Sequence, residues 1–151
     1  MASPQMMDSG RAVPPAVVMT NRIIWAALLM GQLVFVAVIF VLHQQGTIHR
    51  AELPILVLVA VDASALFMGI GATLFVPRLM IDPDTDEQTF RGKYATAMLI
   101  PMAILEGASF AGLVFVMLTG QWWPLGVVPA ISLLVQLTLF PRSVVKRRAF
   151  R

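Results

Sequence analysis

The chain has 151 residues, of which 58% are hydrophobic and only 13% charged, with a mean hydropathy of +0.82. A soluble domain of this size needs a polar skin that such a composition does not supply. The absence of cysteine excludes a disulfide framework, a thiolate nucleophile and Cys-ligated metal. A sequence pI of about 10.2 raises nucleic-acid binding as a possibility, but the basic residues are placed as a membrane-topology signal and no nucleic-acid partner is expected.

In chain order, residues 1–20 hold Ser3, Pro4, Ser9, Gly10, Pro14 and Pro15 and read as a mobile tail. A cleaved signal peptide fits less well, because the first apolar block starts late and is longer than a usual signal-peptide core. Four apolar blocks follow, at about 23–42, 53–76, 94–118 and 122–140, inside a membrane domain of 21–142. Each is long enough to cross about 30 Å of hydrocarbon as a helix, and an isolated strand would leave its backbone unpaired in lipid. The fourth block is interrupted by Pro124 and Pro129. Residues 143–151 form a basic tail. The expected fold is an all-α membrane protein with four transmembrane helices, arranged as two tandem helical hairpins if an internal repeat is real.

The Lys and Arg residues set the orientation. Arg11, Arg22, Arg78, Arg91, Lys93, Arg142, Lys146, Arg147, Arg148 and Arg151 fall on one side of this topology, and Arg50 alone on the other. The positive-inside rule then makes both termini and the middle loop cytoplasmic, in a cell inner (plasma) membrane. Trp122 and Trp123 fall at the outer interface and Trp25 at the inner one, where amphipathic rings are favoured.

A shift of 76 residues aligns the first block with the third: Ala27 with Ala103, Leu29 with Leu105, Gly31 with Gly107, Val38 with Val114, Leu42 with Leu118. The second and fourth blocks end alike, in Thr73-Leu74-Phe75-Val76-Pro77-Arg78 and Thr138-Leu139-Phe140-Pro141-Arg142. Duplication of a hairpin explains both matches; chance agreement among Leu, Val, Gly and Ala is the alternative.

Two carboxylates interrupt the apolar blocks, Glu106 at the middle of the third and Asp62 within the second. An Asp at the bilayer centre costs about 3 kcal/mol on insertion scales, so an intramembrane acid is by default a functional candidate. No basic residue lies inside a block to neutralise either one. Neutral candidate partners are Gln32, Ser64, Ser109, Thr73 and Gln136. Asp62, Ala65, Gly69 and Ala72 share one helical face, and Ala103, Gly107 and Ala111 make a second small-residue face. Pro101, five residues before Glu106, removes one backbone hydrogen bond and is expected to bend the helix there. The candidate ion-binding residues are Glu106, Asp62, Gln32 and Ser109; the candidate helix-packing residues are Gly69, Gly107 and Gly112. The plainer reading makes both acids neutral hydrogen-bond donors between helices. Such bonds average about 0.6 kcal/mol, less than the burial cost.

The segment Ile104-Leu105-Glu106-Gly107-Ala108-Ser109-Phe110-Ala111-Gly112-Leu113-Val114 resembles the ion-binding helix of subunit c, the proteolipid of rotary ATP synthases. Gly69-Ile70-Gly71-Ala72 resembles the glycines of that family's preceding helix, and Pro77-Arg78 its basic cytoplasmic loop. The resemblance spans about 11 residues. It implies an oligomeric ring in which Glu106 takes up and releases a proton or cation. In the repeat frame the acid lies on the first helix of its hairpin, where the family places it on the second.

The acidic loop Asp82-Pro83-Asp84-Thr85-Asp86-Glu87 lacks the glycine and the twelfth-position Glu of an EF-hand, so a solvated loop is expected rather than a calcium site. His43 and His49 could meet a metal only in an oligomer, and the 146–148 cluster could meet anionic headgroups. No cofactor motif, metal set or nucleophile–base pair is evident, so the chain is not expected to be an enzyme. Two functions remain: a proton- or cation-translocating proteolipid-like protein, or a small structural or accessory subunit in a homo-oligomer or larger membrane complex.

Overall fold

The computed structural model describes residues 11–48, 51–81, 85–141 and 144–145. Four helices account for most of them: α1 (Pro15–Gln44), α2 (Ile55–Met80), α3 (Glu87–Thr119) and α4 (Val127–Thr138). A two-residue strand β1 (Arg11–Ala12) pairs antiparallel with β2 (Val144–Val145). His49, Arg50, Asp82 to Asp84, Arg142 and the 146–151 cluster lie outside the described residues.

The helix ends follow from local chemistry. Pro15 opens α1, where the missing N–H of proline costs nothing. The helix therefore takes in residues 15–20, which the composition had assigned to the tail. Asp86 caps α3: its side chain accepts a 2.9 Å hydrogen bond from the Thr89 backbone N–H. Gly120 ends the same helix at φ 67°, in the left-handed region that a side chain resists. Glu87 and Arg91 pair across one turn at its start.

The bond from Thr89 N–H holds the Asp86 carboxyl below the ordinary Asp range. Its contribution is thus present above the unfolded-state value and lost as pH falls through the lowered one. Amide exchange at residues 87–90 is expected to accelerate in Asp86→Ala at neutral pH, and in the unmodified chain only in strong acid. Equal exchange in the two chains at neutral pH would remove the cap from this account.

α3 is the central helix. Its buried residues Phe90, Tyr94, Ala97, Pro101, Leu105, Ala108, Gly112, Val116 and Thr119 recur at helical spacing and face the other three helices. α1 runs parallel to it. Val13 and Val18 pack on Phe90 and Tyr94 at one end, while Ile39 packs on Leu113 and Val116 at the other. α2 runs antiparallel, with Leu66 against Leu105 and Ala108. α4 returns along the same core through Val128 and Val135. Positions 76 apart share burial at Val18 and Tyr94, Asn21 and Ala97, Leu29 and Leu105, and Gln32 and Ala108, whereas Gly31 and Gly107 both open onto empty space.

Three helices, α1 to α3, are long and apolar enough to cross a membrane. The outward faces of α1 and α2 are apolar too: Leu56 is 83% exposed and Phe67 79% exposed, among many such side chains. That is the reverse of a water-soluble surface. The fourth block departs from the expected 122–140 helix. Only 12 residues are α-helical, about 18 Å at 1.5 Å per residue. Trp122 to Gly126 form a turn segment, and α4 begins just late enough to hold Pro129 in its first turn, where proline is tolerated.

Candidate functional site

Each helix places a polar side chain in the interior. Gln32 of α1, Asp62 of α2, Ser109 of α3, and Ser132 and Gln136 of α4 are all at most 1% exposed. Both oxygens of Asp62, both polar atoms of Gln32, the two serine hydroxyls and Gln136 Nε2 have no hydrogen-bond partner among the described residues. Leaving such an atom unmatched costs about 1–3 kcal/mol.

Gly112 fixes where the Asp62 carboxyl lies. A Cβ built on Gly112 would overlap Asp62 Oδ2 and approach Pro129 Cδ and Cγ at 2.8 Å. The carboxyl is thus lodged against bare α3 backbone and the first turn of α4. The positive end of a helix dipole attracts negative charge, so this turn suits an acid. From the level of Gly112 and Pro129, one turn along each antiparallel helix brings Ser109 and Ser132 level with each other. One turn further, Gln136 comes level with Leu105. Gln32 lies one turn before Phe35, whose ring meets Phe110 at 5.1 Å. It therefore belongs to the same central layer. Trp25 Nε1 donates to the Gln136 carbonyl at 2.9 Å and ties α1 to α4 below that layer. Arg22 completes the tie, with its guanidinium 4.9 Å from the centroid of Phe140 and its Nε donating to the Pro141 carbonyl at 3.4 Å.

Glu106 is placed differently. It is only half-buried, about 100° around α3 from Leu105, on the flank of the buried face. Beside it Ala103 and Gly107 are exposed, and nothing lies within 4 Å of a Cβ on Gly107. Among the described residues, Gly107 therefore packs against no other helix, which leaves it open to a partner. Gly69 does pack closely: a Cβ there would sit 2.7 Å from Leu105 Cδ2. The Asp62 face points inward as expected, with Asp62, Leu66 and Gly69 all buried. Ser64 and Thr73 bond back to the carbonyls of Ala60 and Ile70 on their own helix and do not reach the interior layer. Ser132 was missed from the sequence, although its spacing of four from Gln136 was a usable signal. His43 packs edge-on against Trp122, and no metal-binding cluster of three or more His, Asp or Glu occurs among the described residues.

The two glycines give a direct contrast. Gly69→Ala is expected to lower stability by about 1–2 kcal/mol, because buried Leu105 must shift. Gly107→Leu is expected to lose nothing and to gain up to about 1 kcal/mol, since it meets open space and leucine is the better helix former. Thermal unfolding in detergent measures both, and equal losses would contradict this packing.

Comparison with known proteins finds no family model that matches the chain, no similar curated protein and no similar solved structure.

Proposed function

We propose that the chain is a multi-pass membrane protein that crosses the bilayer four times, with both ends on the cytoplasmic side, and that carries a proton or monovalent cation at Asp62. The observation that carries this reading is the interior layer to which all four helices contribute, with a fully buried carboxyl, unpartnered among the described residues, at its Gly112 end.

The antiparallel pairing of Arg11–Ala12 with Val144–Val145 supports an even number of crossings, because it holds the two ends of the described chain together. Three long helices alone would separate them. The fourth crossing is made by α4 together with the turn segment before it. Non-helical backbone is tolerated at membrane depth when buried in protein. Leu125 in that segment is buried against Ile39, Leu113 and Val116.

Charge selects the ligand class. The layer holds one carboxyl and otherwise neutral groups, so a single positive charge makes it neutral. A divalent cation would leave a net charge in hydrocarbon. The oxygen atoms of Asp62, Gln32, Ser109 and Ser132 are hard donors suited to a proton or an alkali cation rather than to a soft metal. The resemblance of the α3 segment to subunit c points to the same chemistry but assigns it to Glu106. The buried layer favours Asp62.

The deciding experiment is labelling by a hydrophobic carbodiimide, which reacts with a protonated carboxyl in lipid, followed by peptide mapping. Modification of Asp62 that slows at high pH or with added Na⁺ is the expected result. Modification confined to Glu106 would return the site to the α3 flank. No protectable modification at either acid would favour the accessory-subunit reading, for which the open Ala103–Gly107 face is the supporting observation.

A further inference from the structure

We propose that the cleft between the amino-terminal ends of α1 and α3 binds the phosphate-bearing headgroup of an anionic membrane lipid. The cleft is shallow and open, about 340 Å³, and is lined by Ala16, Val17, Thr20, Asn21, Arg91, Gly92 and Ala95. It is separate from the Asp62 layer and rests only on the bilayer reading of the fold.

Its polar lining residues are Thr20, Asn21 and Arg91. Asn21 lines the cleft, is 1% exposed, and its Nδ2 has no hydrogen-bond partner among the described residues, so an unmatched donor lies just beneath the cleft surface. Arg91 adds a guanidinium, the group best suited to phosphate oxygens. Arg91 also pairs with Glu87, but both side chains are well exposed, and such pairs are worth little. The Thr20 hydroxyl is spent on the Ala16 carbonyl. Gly92 leaves the approach open, with nothing within 4 Å of an added Cβ. Ala16, Val17 and Ala95 supply an apolar wall beside the donors, which suits an amphiphile better than a free anion.

Depth selects the same ligand. α1 has 30 residues and α3 has 33, about 45 and 50 Å of helix, against about 30 Å of hydrocarbon. The uncharged stretches begin near Ile23 and Tyr94, so residues 16–21 and 91–92 fall at the headgroup level. That surface carries anionic lipid on the cytoplasmic side, and basic pockets between helices hold such headgroups.

The test uses the full chain in a neutral detergent, titrated with phosphatidylglycerol, phosphatidylcholine or inorganic phosphate, with bound molecules counted by native mass spectrometry. Phosphatidylglycerol is expected to bind at least about tenfold more tightly than phosphatidylcholine, and Arg91→Gln to abolish most of that preference. Asn21→Ala is expected to weaken phosphatidylglycerol binding by about tenfold. Because Asn21 is buried and its variant can unfold, the exposed Arg91→Gln keeps the test decisive. Glu87→Gln, which removes a competing acceptor, is expected to preserve or tighten binding. Equal binding of the two lipids, unchanged binding in Arg91→Gln, loss of binding in Glu87→Gln, or phosphate binding as tightly as phosphatidylglycerol would each overturn the proposal.

Discussion

Asp62→Asn is expected to reduce ion flux in reconstituted vesicles to background while the protein stays folded. Asn has nearly the shape of Asp, so it still fits against Gly112 and Pro129, but it can neither gain nor lose a proton in this range. The expected stability change is within about 1 kcal/mol, because the isostere preserves the packing. The expected flux change is at least about tenfold, since removal of a group that acts by charge cannot be compensated by neutral neighbours. Glu106→Gln is the matched control. It is expected to keep flux within about twofold if Asp62 is the carrier site. Flux lost in Glu106→Gln and retained in Asp62→Asn would invert the assignment. Flux absent from the unmodified chain, alone and with its natural membrane partners, would remove transport altogether.

The second large effect is structural. Gly112→Ala is expected to destabilise the fold by about 3 kcal/mol, as overpacking at a rigid contact does. Alanine gains about 1 kcal/mol over glycine in helix propensity. That gain is smaller than the loss, because the added methyl meets the ring of Pro129 as well as the acid. The combination with Asp62→Ala separates the two contacts. The double variant is expected to lose less than the sum of the single losses, since shortening the acid relieves one of the two overlaps. Strict additivity in thermal unfolding would mean that Gly112 and Asp62 do not touch.

Much of this architecture is legible in the sequence, for a simple reason. Runs such as Ile23 to Leu42 carry no charge and are too long for anything but a helix in hydrocarbon. The inward turn of Asp62 is legible as well, because Ala65 and Gly69 lie on its face and mark a close helix approach. The extent of α4 is not legible. Hydropathy continues through Trp122 to Gly126, and only tertiary packing decides that this stretch turns before the helix begins. The rotational placement of Glu106 is not legible either. Glu106 sits at the centre of its apolar block, but depth in a block says nothing about rotation around the helix axis. Its angle from Leu105 places it at the rim, and no property of residues 104–114 alone reports which side of α3 its neighbours occupy.

The brevity of α4 makes the helix bundle uneven along its long axis. On the route inward from the α1–α3 cleft, the interior layer is screened by several turns of interlocked helix and by the Arg22–Trp25–Phe140 clasp. Toward the opposite end, Leu125 of the bend between Trp122 and Gly126 joins Ile39, Leu113 and Val116 in a second buried cluster, with Leu58 and Phe115 packed against it. Packed apolar side chains thus seal the polar layer at both ends, so hydrogen exchange at the Asp62 carboxyl has to wait for one of the two seals to open.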